Sequence, residues 1–328
     1  MKKLLQSPNF VFLLVLPVFL IGMYLGTYGY SKFVKTSFDT KTTKVETNYP
    51  LPEIVEENRV TTKNAKFLNV LLTGHGGVGH SGGGLMDAIM VVSVNVTDKK
   101  ASIISFPRDF WFSGHKINAD PSLKDALVGV TGLSISNFIS IDFISFVNMI
   151  NSIGGITVDV KKAYTDNFYP VRGKENELCG MSNEKIAEVH KLYTNFELEK
   201  QFTCRYETIS YKVGLNNMSG EEALKYVRSR HGGNDFERSR HQFEALKAIL
   251  QKANIASVSE AFSFVTTDFT IDSVNKMITE IGNPLEYSIF YLGLSEENVL
   301  VSSKSSGGAY ILQTREGQNI KEYIKNII

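Results

Sequence analysis

Between Tyr226 and Phe243 the chain reads YVRSRHGGNDFERSRHQF, with four arginines and two histidines in eighteen residues. Guanidinium forks match phosphate oxygens two at a time, so arginines at this density suit a dianionic or pyrophosphate group. The competing reading is a surface network in which Arg228, Arg230 and Arg238 pair with Glu222, Asp235 and Glu237, because structural ion pairs also collect arginines. A second stretch, SFPRDFW (Ser105–Trp111), sets Arg108 and Asp109 directly after a strand-like run, the place where α/β sheets present ligand-binding residues. An arginine there serves a phosphate, and a carboxylate serves a metal ion.

A third stretch, GHGGVGHSGGGLMDAIM (Gly74–Met90), is a glycine-rich loop carrying His75, His80 and Asp87. Glycines let a backbone approach a ligand closely. No Gly-Lys-Ser/Thr follows, and the order of a dinucleotide fingerprint is absent. The histidines either ligate a metal or stand in solvent. Asp87 is the better candidate for Mg²⁺, which prefers oxygen ligands and shares them with phosphate.

These residues need elements to hold them. FLNVLLTG (Phe67–Gly74), AIMVVSVNV (Ala88–Val96) and ASIISF (Ala101–Phe106) are short Val/Ile-rich runs bounded by turn residues and read as buried strands. Asp142–Gly155 places Phe143, Phe146, Met149, Ile150 and Ile153 at helical spacing and ends on a glycine pair; ITVDV follows as a strand. Strands alternating with helices imply a mixed or parallel sheet covered on both faces. Ser219 and Glu222 form a capping box ahead of one helix, and Asp235 caps the next. The arginine stretch is therefore a helix end, a Gly-Gly loop and a helix start, and helix N-termini attract anions.

The 328 residues are 43% hydrophobic and 21% charged, enough for one large α/β domain or two small ones, and 35 Lys+Arg against 34 Asp+Glu leave a net charge of +1. That balance argues against a nucleic-acid partner. Phe10 to Tyr30 carries no charge and is long enough to cross a hydrocarbon core; without a clear cleavage site it reads as an uncleaved signal anchor. The polar, Thr-rich segment after it reads as a stalk. Tyr169–Tyr211 is a polar excursion holding both cysteines, Cys179 and Cys204. In an exported domain these form a disulfide; the other reading is two unrelated thiols.

Taken in order, NVLLTG, MDAIMVVSVN, ISFPRD, KINAD, IDFISFVNMINSIGGITVDV, MSGEEALKYVRSR and DFERSRHQ resemble the LytR-CpsA-Psr family from Phe67 to about Ala253. The resemblance implies an α/β/α sandwich with a central mixed sheet, preceded by one N-terminal transmembrane helix, with the domain outside the cytoplasm. Residues 1–8 would be a cytoplasmic tail, 9–30 the anchor, 31–66 the stalk and 67–328 the domain, with its core at 67–253 and a C-terminal extension at 254–328. The implied activity is transfer of a glycopolymer from a polyprenyl-pyrophosphate carrier to a peptidoglycan hydroxyl, commonly the C6 hydroxyl of N-acetylmuramic acid. Position by position, Arg108, Arg228, Arg230, Arg238, His241 and Gln242 would bind the pyrophosphate. Arg108, Asp109 and Asp235 would serve catalysis, and Asp87 would hold Mg²⁺.

Three departures stand out. Leu85 replaces an arginine two residues before Asp87, GHGG offers no aspartate after the first strand, and His241 fills an arginine slot. Arg240 lies about 200° round a helix from Arg238 and does not substitute. A non-catalytic polyprenyl-pyrophosphate-binding protein is the alternative these losses leave open. A DNA-binding regulator has no support, since no basic recognition helix appears.

Overall fold

The computed structural model describes residues 65–80, 82–229, 235–252, 263–282 and 286–328. The tail, the expected span at 9–30 and nearly all of the stalk lie outside these residues. Among the described residues no helix is long and apolar enough to cross a membrane.

The three Val/Ile runs form β1 (Phe67–His75), β2 (Met86–Asn95) and β3 (Lys100–Phe106), joined antiparallel so that Leu71 faces Val91 and Val91 faces Ile104. A short hairpin of β4 (Trp111–Phe112) and β5 (His115–Lys116) follows, then the helix Leu123–Thr131, which stops on left-handed Gly132. The chain returns as β6 (Ile135–Asp142), parallel to β1. Asp142 then caps the helix Phe143–Ser152 by accepting from the Ser145 N–H at 2.8 Å. That helix leads through Gly154 and Gly155, both at positive φ, into β7 (Ile156–Val160).

The excursion is a hairpin. Strands β8 (Tyr164–Pro170) and β9 (Tyr206–Tyr211) pair antiparallel, and between them lie the helices Asn183–Leu192 and Asn195–Glu199 and a disulfide joining Cys179 to Cys204. Strand β10 (Gly214–Met218) pairs with β7 and feeds the helix Gly220–Arg228, whose capping box is Ser219 and Glu222. A Cβ at Gly220 would stand 2.2 Å from the Val147 carbonyl oxygen, so only glycine lets this helix start against the Phe143–Ser152 helix. The helix Asp235–Lys252 comes next.

The C-terminal extension supplies both outer strands of the same sheet. After β11 (Thr266–Thr267) and the helix Ile271–Ile281, β12 (Ser288–Gly293) lies parallel to β3, giving the mixed order β11-β6-β1-β2-β3-β12. On one face Leu71, Val91 and Ile104 pack with Leu127 and with Ile324 of the helix Ile320–Lys325. On the other, Val70, Val94 and Ala101 pack with Met277 and Ile281. A further apolar cluster joins the helices Phe143–Ser152, Gly220–Arg228 and Asp235–Lys252 to β7 through Ile150, Ala223, Ala245 and Val158. Helical layers therefore cover both sides of a mixed sheet.

Candidate functional site

Strand pairing gathers the site. Strands β1, β3 and β6 run the same way and β2 runs against them, so His75 opposite Asp142, Gly74 opposite Ala88 and Ile89 opposite Phe106 bring three connections to one end of the sheet. Arg108 Nη1 donates to Asp87 Oδ1 at 2.7 Å there, and both side chains are about one-third exposed, 28% and 33%. Asp109 is buried beside it: Lys116 Nζ donates to its Oδ1 at 2.5 Å, and Arg108 Nε lies 3.6 Å from its Oδ2. The β4–β5 hairpin thus carries the lysine that holds Asp109, and Asp109 in turn backs Arg108.

The arginine stretch meets this end of the sheet from the helical layer. The Arg228 guanidinium lies 4.3 Å above the Phe143 ring, 5.8 Å from the Tyr169 ring, and donates to the Tyr169 hydroxyl at 3.2 Å. Cation–π contact with two rings holds the planar fork in one orientation. Burial pushes the Tyr169 hydroxyl above the usual tyrosine range. Behind Arg228, Ser229 Oγ donates to Asp166 Oδ2 at 2.6 Å, and Asp166 Oδ1 accepts from the Phe168 N–H at 2.9 Å. Arg238 and Gln242 stand one turn apart on the helix Asp235–Lys252.

One cavity of about 420 Å³ connects these groups. Arg108, Arg228, Arg238, Gln242 and Asp87 line it, and its remaining wall is mostly apolar, including Leu72, Met90, Ile139, Phe146, Leu246 and Ile249. Its shape lies between the sheet face and the three packed helices. A ligand that fills it must join an apolar body to an anionic head, because a bare anion would leave the apolar wall uncovered and a hydrocarbon would leave the arginines unmatched.

Not every residue singled out in the sequence reaches the cavity. His241 is the clear correction: it is 4% exposed, stacks on Tyr164 at 4.7 Å and packs tilted against Tyr226 at 4.4 Å, and is not part of the cavity lining. Burial, and then the nearby Arg240 charge, lower its pKa to about 3. It is a neutral packing residue. Beside it the Tyr226 hydroxyl donates to Glu244, whose carboxyl burial pushes upward. Arg230 lies outside the described residues, and Asp235 is placed only as the first residue of its helix.

The glycine-rich loop folds on itself. The Gly77 N–H donates to the Gly83 carbonyl at 2.9 Å, and a Cβ at Gly83 would stand 1.9 Å from the Gly77 oxygen. His75 Nδ1 sits 3.2 Å from the Gly83 carbonyl, and His80 meets the Phe143 ring edge-on at 5.1 Å. The close approach of Gly77 and Gly83 explains those two glycines without a ligand. Among the described residues no group of three or more His, Cys, Asp or Glu is placed to hold a metal. Asp87, one-third exposed at the cavity mouth, fits the sparser pattern of Mg²⁺, one or two carboxylates completed by phosphate oxygens.

Sequence reasoning missed Lys116, Asp142, Asp166 and Tyr169. Asp142 carries a signal, an N-cap residue before a helical pattern. Asp166 carries none, being one polar residue of β8 with no motif around it.

A model of the LytR_cpsA_psr family matches residues 24–325. The chain belongs to the LytR-CpsA-Psr family. Among its curated relatives is the polyisoprenyl-teichoic acid–peptidoglycan teichoic acid transferase TagV of Bacillus subtilis (strain 168), 25% identical over 276 residues. That match covers 78% of this chain and 60% of the relative, so the chain spans less than two-thirds of the relative's length. The crystal structure of B. subtilis TagV shares the LytR-CpsA-Psr fold seen here, with a TM-score of 0.55 at 22% identity, covering 80% of this chain and 96% of that one. A LytR-CpsA-Psr structure described as YwtF (TagT) with bound octaprenyl pyrophosphate lipid gives a TM-score of 0.50 at 19% identity, covering 79% of this chain and 89% of that one.

Proposed function

We propose that this chain is a membrane-anchored phosphotransferase that moves a glycopolymer from a polyprenyl-pyrophosphate carrier to a peptidoglycan hydroxyl. The observation that carries the reading is the cavity of about 420 Å³, mostly apolar in its lining and bordered by Arg108, Arg228 and Arg238. The prenyl chain takes the apolar wall and the pyrophosphate takes the guanidinium forks. The named activity of TagV and the lipid in the TagT structure support the same reading. Residues 9–30 would anchor the domain on the outer side of the membrane, where its lipid substrate lies.

In this reaction the acceptor hydroxyl oxygen attacks the phosphorus next to the sugar. A new P–O bond forms, the bridge to the second phosphorus breaks, and polyprenyl phosphate leaves with that bond's electron pair. Arg228 and Arg238 offset the charge that builds on the departing phosphate, and Arg108 fixes the phosphate under attack. Asp109, with its oxygens turned to Lys116 and Arg108, positions Arg108 rather than taking the proton. Of the carboxylates singled out in the sequence, Asp235 is then the one left for the acceptor proton, since Asp87 is closed on Arg108. Mg²⁺ held by Asp87 would neutralise pyrophosphate charge.

A second reading, a non-catalytic carrier of the same lipid, draws on one observation: Asp87 is closed on Arg108 at 2.7 Å, with exposed Leu85 where the family has an arginine. One assay separates the two. Full-length protein is incubated with a polyprenyl-pyrophosphate-linked sugar and a peptidoglycan fragment, with and without Mg²⁺. Formation of phosphosugar–peptidoglycan together with polyprenyl phosphate establishes transfer; lipid bound without product establishes the carrier.

A further inference from the structure

Tyr169, the next-to-last residue of β8, is 5% exposed. With Arg228 and Phe143 it lines both the cavity of about 420 Å³ and an adjoining groove of about 270 Å³, so its side chain stands where the two meet. Arg228 Nη1 donates to the hydroxyl at 3.2 Å. In that bond the tyrosine oxygen is the acceptor, because a guanidinium can only donate. The phenol's own proton is left over, and among the described residues Tyr169 makes no second hydrogen bond. Lys225, whose ammonium lies 6.0 Å from the ring centroid, is likewise a donor and offers that proton nothing.

A buried hydroxyl with an unspent proton is uncommon. Two features make this one a donor held ready. Burial raises its pKa first of all, the Arg228 charge and hydrogen bond oppose the rise, and Glu207 and Glu221 add to it, so the phenol keeps its proton at neutral pH. The hydroxyl is also fixed relative to the arginine: Asp166, three residues earlier on β8, accepts from Ser229, the residue after Arg228, at 2.6 Å. An anionic oxygen seated on Arg228 would meet both the guanidinium fork and the phenol proton. Donation from the arginine into the hydroxyl strengthens the hydroxyl's own donation.

We propose that Tyr169 is a ligand of the phosphate group bound at Arg228, donating its O–H to a phosphate oxygen while its own oxygen accepts from the arginine. The inference rests on the pyrophosphate reading of the cavity and adds to it a neutral donor, supplied by the disulfide-bearing excursion. The phenol transfers no proton; it shares a hydrogen bond. Because the apolar wall of the cavity takes a hydrocarbon without its help, the hydroxyl separates phosphorylated from unphosphorylated polyprenol.

The test uses full-length protein in detergent and two ligands, octaprenyl pyrophosphate and octaprenol. Tyr169→Phe removes the hydroxyl and keeps the ring beside Arg228. It should weaken binding of octaprenyl pyrophosphate by about tenfold, the lower end for a hydrogen bond to a charged group, and leave octaprenol within about twofold of wild type. Tyr206→Phe is the control: this tyrosine stands on the same hairpin, donates to Glu199 Oε2 at 3.1 Å and lines neither cavity. Both of its affinities should stay within about twofold. In Tyr169→Phe, a loss on octaprenyl pyrophosphate smaller than about threefold refutes the contact. So does a loss that octaprenol shares equally or that Tyr206→Phe reproduces, since either would trace the effect to packing. If wild type binds octaprenyl pyrophosphate no tighter than octaprenol, the pyrophosphate reading fails and the inference falls with it. If wild type binds the lipid and transfers nothing, only the transfer step fails, and the affinities still decide the Tyr169 contact.

Discussion

Asp166 on β8 accepts a 2.6 Å hydrogen bond from Ser229 Oγ, and both residues are buried, at 1% and 4% exposure. The bond ties the excursion to the turn directly after Arg228. A hydrogen bond to a buried carboxylate contributes about 1.5–3 kcal/mol, and leaving one partner unmatched costs a similar amount. Ser229→Ala and Asp166→Asn should each destabilise the fold in urea unfolding, and a double-mutant cycle should show a coupling of about 1 kcal/mol or more. Strictly additive effects would remove the tie.

Arg228→Ala should weaken binding of octaprenyl pyrophosphate by about 2–5 kcal/mol, the range for truncating one member of a buried, hydrogen-bonded charge pair. Arg228→Lys keeps the charge but loses the planar contact with Phe143 and the forked donation. It should recover only part of the loss. Equal affinity for wild type and Arg228→Ala in a titration would assign this arginine to structure alone.

His241 makes stability depend on pH with a defined sign. Its folded-state pKa is lowered to about 3 from 6.5, so the unfolded chain binds the proton first as pH falls. Its contribution is fully present above about pH 6.5 and is lost progressively as the pH falls toward 3, at up to about 1.4 kcal/mol per unit. The facing groups are Arg240, Glu244, Tyr164 and Tyr226. Glu244, whose carboxyl is raised, works in the opposite direction and is common to both proteins under comparison. His241→Phe should flatten the fall in stability between about pH 7 and pH 5, read by urea midpoints. Lipid affinity should not follow this residue between about pH 6 and pH 8. Matching slopes in wild type and variant would disprove the assignment.

Reduction of Cys179–Cys204, 25 residues apart in sequence, should lower stability by about 3.5 kcal/mol on the loop-entropy estimate. The effect should concentrate in β8 and β9, where hydrogen exchange would speed up. Because this hairpin carries Asp166 and Tyr169, lipid binding should weaken as well. An unchanged urea midpoint after reduction would show that the hairpin holds without its crosslink.

Local chemistry was legible in the chain. The Val/Ile runs, the Ser219–Glu222 box, the glycine pair after Ile153 and the helix break inside the arginine stretch are all short-range, and short-range sterics and hydrogen bonding decide them. Ordered motifs around Arg108, Arg228 and Arg238 were enough to give the family. Strand β6, by contrast, reads ISNFISID, too mixed in polarity to announce itself, and its place beside β1 is a matter of pairing across the chain. Asp166 gained its role because a hairpin folded it onto Ser229. His241 shows the limit most plainly. From Arg238, three residues turn a helix about 300° and four turn it about 400°, so His241 and Gln242 diverge by about 100°. Sequence spacing put both near Arg238; the packing of this helix on β7 and the tyrosines decided that Gln242 faces the cavity and His241 the core.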